Sequence, residues 1–272
     1  MKILFAGGGT AGHINPALAV AGYIKERHPD AEISYIGTAE KLEAKLVPEK
    51  GYDFHTIDVA GFQRKITPEN ILKNISAVKK AFTSSIRSKE LLREINPDIV
   101  VGTGGYVSGP VLKQAQKMGF KTAIHEQNAF PGVTTKMAAG KADRVLVAFA
   151  ESVQHYKNPQ KVEVVGMPIR AEFTTITQAQ AKKELGLEGK PVVVSAFGSL
   201  GAKVMNETMA DMMPLEQADG FPFHHIHATG SFGKEWMPKR VKDNGVDFEN
   251  IPELDIREYI YNMPTVMAAA DV

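Results

Sequence analysis

The sequence predicts an α/β protein built from two doubly wound, parallel-sheet domains, the second of them incomplete. Three observations lead to this. Short apolar runs alternate with longer amphipathic segments from the first residues onward, the pattern of repeated strand–helix–strand units. Glycine-rich turns follow the carboxyl ends of several of the apolar runs. The pattern then restarts at Pro191–Phe197, a β-branched run that ends in Gly198-Ser199-Leu200-Gly201-Ala202. A chain of 272 residues is long enough for two domains, since one domain usually takes about 100–200 residues.

In order, Lys2–Ala6 is a short apolar strand. Asn15 can cap a helix with Pro16 at its first position, where the missing N–H costs nothing, and that helix reaches about Arg27. Glu32–Ile36 is the next strand, Lys41–Glu49 a helix, and Phe54–Val59 a third strand. A long helix starts near Pro68 and ends near Ile95. Asp98–Val101 is a buried strand leading into the loop Gly102–Pro110. Strands follow at Lys121–Ile124, Arg144–Ala148 and Val162–Val165. The boundary falls near Gly166-Met167-Pro168, which gives domains 1–165 and 166–272. In the second domain a helix runs from about Lys203, strands lie near Phe223–Ala228 and Val246–Phe248, and Pro264–Ala270 is a helix. Asp271-Val272 reads as the start of another strand. Only three strands of this second sheet are expected, so the chain is expected to be incomplete relative to a two-domain protein.

Composition narrows the chemistry. There is no cysteine, which excludes disulfides, thiolate metal sites and cysteine nucleophiles. The apolar run after Met1 ends at Gly7, too short for a signal peptide, and no segment nears the roughly 20 apolar residues of a membrane-spanning helix. The expected location is the cytosol. Net charge is +1, but residues 61–93 hold eight Lys or Arg against two Glu. That asymmetry points to an anionic partner surface.

The loops carry the chemistry, because ligands of open parallel sheets sit beyond the carboxyl ends of the strands. Gly7, Gly9 and Gly12 match the spacing of a dinucleotide fingerprint, yet the acidic residue expected after the second strand is missing, since that strand ends at Gly37-Thr38. What remains is an anion approached by backbone N–H groups at a helix start. Gly198–Ala202 repeats the device and is not a P-loop. One such turn per domain, facing a shared cleft, suits a diphosphate-bearing nucleotide-sugar with an acceptor opposite. His13 can take a proton from a sugar hydroxyl; a capping or phosphate contact is its other reading. His125 and Glu126 either join that chemistry or hold the Asn128–Gly132 turn. His224, His225 and His227 alternate on a strand and read as buried or edge histidines, without a metal. On the long helix, Ile71, Ile75, Val78, Phe82 and Ile86 form one apolar stripe, and Lys73, Lys80 and Arg87 recur on another face. Pattern alone favours a crossover helix packed on the sheet over a surface that docks on anionic lipid.

Five runs together resemble the MurG family of peptidoglycan N-acetylglucosaminyltransferases. They are Gly7–Pro16, Gly104-Gly105-Tyr106-Val107-Ser108-Gly109-Pro110, His125–Gly132, Gly166-Met167-Pro168-Ile169-Arg170 and Gly198–Ala202. The resemblance implies a GT-B architecture of two Rossmann-like domains. It implies inverting transfer of N-acetylglucosamine from UDP-GlcNAc to the MurNAc 4-hydroxyl of lipid I, giving lipid II. It implies no cofactor and no obligatory metal. His13 and Glu126 match catalytic positions. Thr10, Ala11, Gly12, Tyr106, His125, Asn128, Arg170, Ser199 and Ile260 match substrate-binding positions, with Ser199 placed for the diphosphate and the Ile260 backbone for the uracil. Ala11 stands where many relatives have Gly. The family continues beyond Ala270-Asp271-Val272 to a ribose-holding Glu and a sugar-holding Gln, so this chain reads as C-terminally truncated, with weakened donor binding expected. Partners implied are UDP-GlcNAc, lipid I in the cytoplasmic leaflet of a bacterial membrane and the anionic membrane surface, with no nucleic acid. That shifts the long helix toward docking through Ile75, Lys79, Lys80, Phe82 and Arg87. Competing readings are a transferase with another lipid or natural-product acceptor, a truncated nucleotide-sugar-binding or interaction module and, distantly, a dinucleotide oxidoreductase.

Overall fold

A computed structural model describes the backbone of residues 1–59 and 68–272, and the side chains of 1–59 and 80–272. The chain forms two compact units, Met1–Arg170 and Ala171–Val272.

Unit 1 alternates strand and helix throughout: β1 Lys2–Gly7, α1 Ala11–Arg27, β2 Glu32–Gly37, α2 Glu43–Glu49, β3 Asp53–Thr56, α3 Pro68–Ile95, β4 Ile99–Gly104, α4 Gly105–Met118, β5 Lys121–Glu126, α5 Val133–Ala139, β6 Arg144–Val147 and β7 Val162–Val164. The strands form one seven-stranded sheet in the order β3-β2-β1-β4-β5-β6-β7. Every pairing in it is parallel. Alternation along β1 explains why helices cover both faces. Leu4 and Ala6 enter a core with Leu91, Leu92, Val111, Leu112 and Ala115 of α3 and α4. Ile3 and Phe5 enter a second core with Ile14, Ala17, Leu18 and Ala21 of α1 and Val47 of α2. A strand paired on both edges and covered on both faces is apolar along its length, as Ile3–Ala6 of β1 is.

Unit 2 holds α6 Glu172–Thr175, α7 Gln178–Leu185, β8 Val192–Ala196, α8 Lys203–Ala218, β9 His224–Ala228, α9 Trp236–Asp243, β10 Leu254–Arg257 and α10 Met263–Ala269. Its three strands run parallel in the order β10-β9-β8. Ala210 and Met213 of α8 pack with Met237 and Val241 of α9. Val192, Ile226, Ile260 and Val266 form a separate core with Leu185. Asp271 and Val272 exchange hydrogen bonds with Val192 and Val194 along the β8 edge, as the start of a further strand would.

Several expected elements are corrected. The third strand of unit 2 is β10, whereas Val246–Phe248 enters a 3₁₀ turn at Phe248–Asn250. Val246 is fully buried and docks that turn on the α8–α9 core. Helix α1 begins at Ala11, so Pro16 lies inside it. The first turn closes because His13 and Ile14 donate to the Thr10 carbonyl, and only the Gly12 carbonyl loses its helical donor to Pro16. Strand β3 is Asp53–Thr56, ending short of Val59, and α4 starts directly at Gly105 with no intervening loop.

The apolar stripe of α3 does not pack on the sheet where its side chains are described. Phe82 is 70% and Ile86 47% exposed. The buried side of the helix carries Ser84, Ser88, Leu91 and Leu92. Ser88 donates to the Ser84 carbonyl at 2.7 Å, and Ser85 meets Gln114 of α4. Small hydroxyl side chains thus line the seam to α4, and the larger apolar groups face outward. Ile71, Lys73, Ile75, Val78 and Lys79 lie outside the described side chains. Lys80 pairs with Asp58 at 2.9 Å and Arg87 with Glu90 at 3.2 Å, exposed pairs each worth at most about 1 kcal/mol. Among the described residues no helix is long and apolar enough to cross a membrane.

A buried polar chain crosses unit 2. Glu216 of α8 meets His225 Nδ1 at 2.9 Å, His225 Nε2 meets Ser195 Oγ at 2.7 Å, and Ser195 Oγ meets His227 Nδ1 at 2.6 Å. His225 and His227 are fully buried. No group of three or more metal-ligating side chains occurs among the described residues. Burial, and then the His225 ring beside it, push the His227 imidazole down to about 4. The unfolded chain therefore binds more protons than the folded one between pH about 4 and the ordinary histidine value near 6.5. Stability from this group is complete above pH about 6.5 and falls as pH drops toward 4, by up to about 3 kcal/mol. Thermal unfolding at pH 7.5 and pH 4.5 should show an acid-induced loss in unit 2. The loss should shrink in His227→Asn, and an equal loss in the variant would refute the assignment.

Candidate active site

Strand order reverses between β1 and β4, so the crevice at their carboxyl ends is where an open parallel sheet offers a site. The first expected loop, Gly7–Thr10, leaves β1 there. The second, Gly104-Gly105-Tyr106, leaves β4 beside it. The two touch backbone to backbone. A Cβ at Gly105 would stand 2.3 Å from the Gly8 carbonyl oxygen, and Gly105 has φ +78°. Unit 2 repeats this arrangement. A Cβ at Gly201 would stand 2.1 Å from the Thr229 carbonyl oxygen, and Ser231 and Phe232 donate to the Ser199 and Leu200 carbonyls. Each glycine loop is thus clamped by a second loop from the neighbouring strand.

No acidic residue ends β2, which closes at Gly37, as expected from the sequence, but a buried acid stands on the following helix α2. Glu40 is exposed, whereas Glu43 is fully buried. The Glu43 carboxylate accepts from Gly9 N–H at 3.0 Å, Thr38 N–H at 3.0 Å and the Thr38 hydroxyl at 2.8 Å. One N–H of the glycine loop is therefore satisfied by an internal anion. At the α1 N-terminus His13 and Ile14 N–H donate to the Thr10 carbonyl, which leaves the Ala11 and Gly12 N–H groups as its outward donors, and Thr10 makes no side-chain cap bond. Tyr35 lies below the loop, and burial, then the Glu43 charge, raise its phenol well above the usual range.

The structure brings His13, His125, Glu126 and Asn128 into one region. Thr103 Oγ1 donates to the His13 carbonyl at 2.7 Å and fixes the first turn of α1 against β4. His13 Nδ1 lies 3.3 Å from Gln127 Oε1. Gln127 Nε2 lies 3.0 Å from His125 Nδ1 and donates to the His125 carbonyl at 3.1 Å. His125 Nε2 meets the Gly166 carbonyl at 3.1 Å. Burial holds the His125 imidazole below its ordinary value, so it is neutral near pH 7. The Glu126 carboxylate accepts from Asn128 N–H at 3.1 Å, Asn128 Nδ2 at 2.8 Å and Gly132 N–H at 3.0 Å. Those bonds tie it to the 128–132 turn, the second of its two expected readings. Asn128 is exposed.

Tyr106 is 61% exposed on the first turn of α4. With Gly8, Gly9, Thr38, Lys41, Val59 and Val107 it lines a cavity of about 250 Å³. Thr10 and Gly12 are exposed and Ala11 partly so. Ser199 lies in unit 2 just before α8, whose first turn also lacks a side-chain cap. Ile260 is 1% exposed in the unit 2 core, which anchors its backbone. Arg170 is the last residue of unit 1. Sequence reasoning missed Glu43 and Gln127. Gln127 sat inside the quoted His125–Gly132 run, and nothing local marks a glutamine as the link between two histidines.

Residues 3–147 match the glycosyltransferase family 28 N-terminal domain. The UDP-N-acetylglucosamine–N-acetylmuramyl-(pentapeptide) pyrophosphoryl-undecaprenol N-acetylglucosamine transferase of Acetivibrio thermocellus is 41% identical, over 100% of this chain and 71% of its own length. The enzyme of the same name from Ruminiclostridium cellulolyticum is also 41% identical, with 72% of its length covered. The crystal structure of Acinetobacter baumannii MurG shares the fold, with a TM-score of 0.63 over 99% of this chain and 70% of that one, at 24% identity. With the whole chain aligned at that identity, this protein belongs to the family of N-acetylglucosamine transferases that those two relatives represent.

Proposed function

We propose that this chain transfers N-acetylglucosamine from UDP-N-acetylglucosamine to the 4-hydroxyl of the MurNAc unit of lipid I, undecaprenyl-pyrophosphoryl-MurNAc-pentapeptide, giving lipid II for peptidoglycan. The observation that carries it is 41% identity along the whole chain to a transferase of that name. The acceptor oxygen forms a bond to the donor anomeric carbon from the face opposite UDP. The bond from that carbon to the phosphate oxygen breaks, and UDP departs with the electron pair. His13 takes the hydroxyl proton. Unit 1 is the acceptor and membrane side: Thr10, Ala11 and Gly12 at the α1 N-terminus, with Tyr106, His125 and Asn128, address the acceptor diphosphate and the reacting sugars. Unit 2 binds UDP through Ser199 and the Ile260 backbone, with Arg170 also on the donor. Glu126 serves the reaction by holding Asn128. Transfer of radiolabel from UDP-GlcNAc to a lipid I analogue, abolished or sharply reduced by His13→Gln, tests the reading. Nucleotide-sugar binding without transfer would favour a non-catalytic binding module instead.

The protein works at the cytoplasmic face of the bacterial membrane, docking through α3. The exposed Phe82 and Ile86 beside Lys80 and Arg87 support this, and Ile75 and Lys79 extend the same helix. Apolar insertion and attraction to anionic lipid add. Combining Phe82→Ala with Lys80→Glu should weaken sedimentation with anionic vesicles by about tenfold or more. Equal sedimentation of variant and parent would end the docking assignment.

A further inference from the structure

Two backbone carbonyls determine the direction of every hydrogen bond in the His13–Gln127–His125 chain. A carbonyl oxygen only accepts. The Gly166 carbonyl lies 3.1 Å from His125 Nε2, so that nitrogen carries the His125 proton. His125 is held neutral by burial, which leaves its Nδ1 as an acceptor. The partner of Nδ1, 3.0 Å away on Gln127, must therefore be the amide NH₂. The His125 carbonyl demands the same answer independently, because it accepts from that Gln127 nitrogen at 3.1 Å. Both hydrogens of the amide are then used, and the other end of the side chain is its oxygen. That oxygen faces His13 Nδ1 at 3.3 Å, so His13 carries its proton on Nδ1. Gln127 is 8% exposed, and water does not compete freely for these bonds.

We infer that Gln127 is a positioning residue that sets the His13 tautomer. The relay from the Gly166 carbonyl through His125 and Gln127 leaves the lone pair of neutral His13 on Nε2. Among the described residues no protein partner occupies that nitrogen. A base that receives an acceptor proton needs its lone pair on the outward nitrogen, and the hydrogen bond made by the other ring nitrogen decides this. The assignment rests on the proposed role of His13 for its use in catalysis, but the tautomer itself does not depend on that role.

Long-range ¹H–¹⁵N spectra of ¹⁵N-histidine-labelled protein at pH about 8 read the tautomer directly, with His13 assigned by the signal lost in His13→Gln. The expected parent pattern has the His13 proton on Nδ1 and the His125 proton on Nε2. Gln127→Met, similar in size but unable to accept, should let His13 exchange between both tautomers. It should also lower kcat by about tenfold or more without a matching rise in the KM for UDP-GlcNAc. Gln127→Glu keeps an acceptor toward His13 while losing the donors to His125, so it should restore the His13 Nδ1–H signal even where turnover stays reduced. A parent His13 protonated on Nε2, an unchanged His13 pattern in Gln127→Met, or a His13 pattern in Gln127→Glu that matches Gln127→Met would each overturn the inference. If His13→Gln keeps full turnover while the parent pattern is as expected, the relay stands and the general-base reading falls.

Discussion

Turnover of His13→Gln is expected to fall by about 10²–10⁴-fold, the range in which a positioned proton acceptor contributes. Three features support so large an effect. The backbone of His13 is fixed independently of its ring, because Thr103 Oγ1 holds the His13 carbonyl at 2.7 Å. Losing the imidazole should therefore leave α1 in place. The ring is partly exposed at the carboxyl end of β1, where a hydroxyl can reach it. Glu126, the other catalytic candidate, spends its two carboxylate oxygens on Asn128 and Gly132 and is a poor substitute. Steady-state transfer kinetics with a lipid I analogue, alongside a melting curve, check the result. A loss confined to kcat with an unchanged melting temperature is expected. A variant within about threefold of the parent would remove His13 from the proton-transfer step, since that is well below the expected range.

Gly105→Ala should destabilise unit 1 by about 3–5 kcal/mol. The left-handed backbone at Gly105, φ +78°, costs an alanine about 1–2 kcal/mol. The added Cβ would also lie 2.3 Å from the Gly8 carbonyl oxygen, a backbone atom that cannot rotate away. Displacing it pulls on Gly9 and on the Glu43 hydrogen bonds beneath, so overpacking adds a further few kcal/mol. For a unit of this size the melting temperature should drop by about 10 °C. Gly119→Ala is the matched control. Its φ is +84° at the end of α4, and a Cβ there meets nothing within 4 Å. That variant should cost only about 1–2 kcal/mol. Equal losses in the two variants would show that backbone conformation alone, and not the contact between the glycine loops, sets the cost.

Much of the fold was legible because its signals are local. Short apolar runs marked most strands of unit 1 and β8 of unit 2, and in β1, β2 and β4 the run ends in glycine. Pro68 marked the start of α3, whereas the cap expected at Asn15 lies inside α1. Where local signals conflicted, tertiary contacts decided. Val246-Asp247-Phe248 reads as a strand by residue type, yet Val246 belongs to the α8–α9 core, and the ladder position beside β9 goes to Leu254–Arg257. The stripe on α3 reads as a buried face by its spacing. The helix instead turns its serines inward, because α4 is close enough at Gln114 to need small partners.

The site divides along the same line. The sequence by itself determined the class of fold, the glycine loops at the strand ends, and the residues His13, Tyr106, His125, Glu126 and Asn128 as a group worth testing. Those features are properties of short runs, where a glycine, an imidazole or a carboxylate is visible as soon as its position relative to a strand end is known. Only the tertiary structure decided which groups meet. Glu43 reaches Gly9 across 34 residues of sequence, and Gln127 reaches His13 across 114. A buried carboxylate or amide takes whichever partners the packed sheet brings within about 3 Å. Separations of that length leave no periodicity in the chain, so such pairings are invisible until the strands are in register.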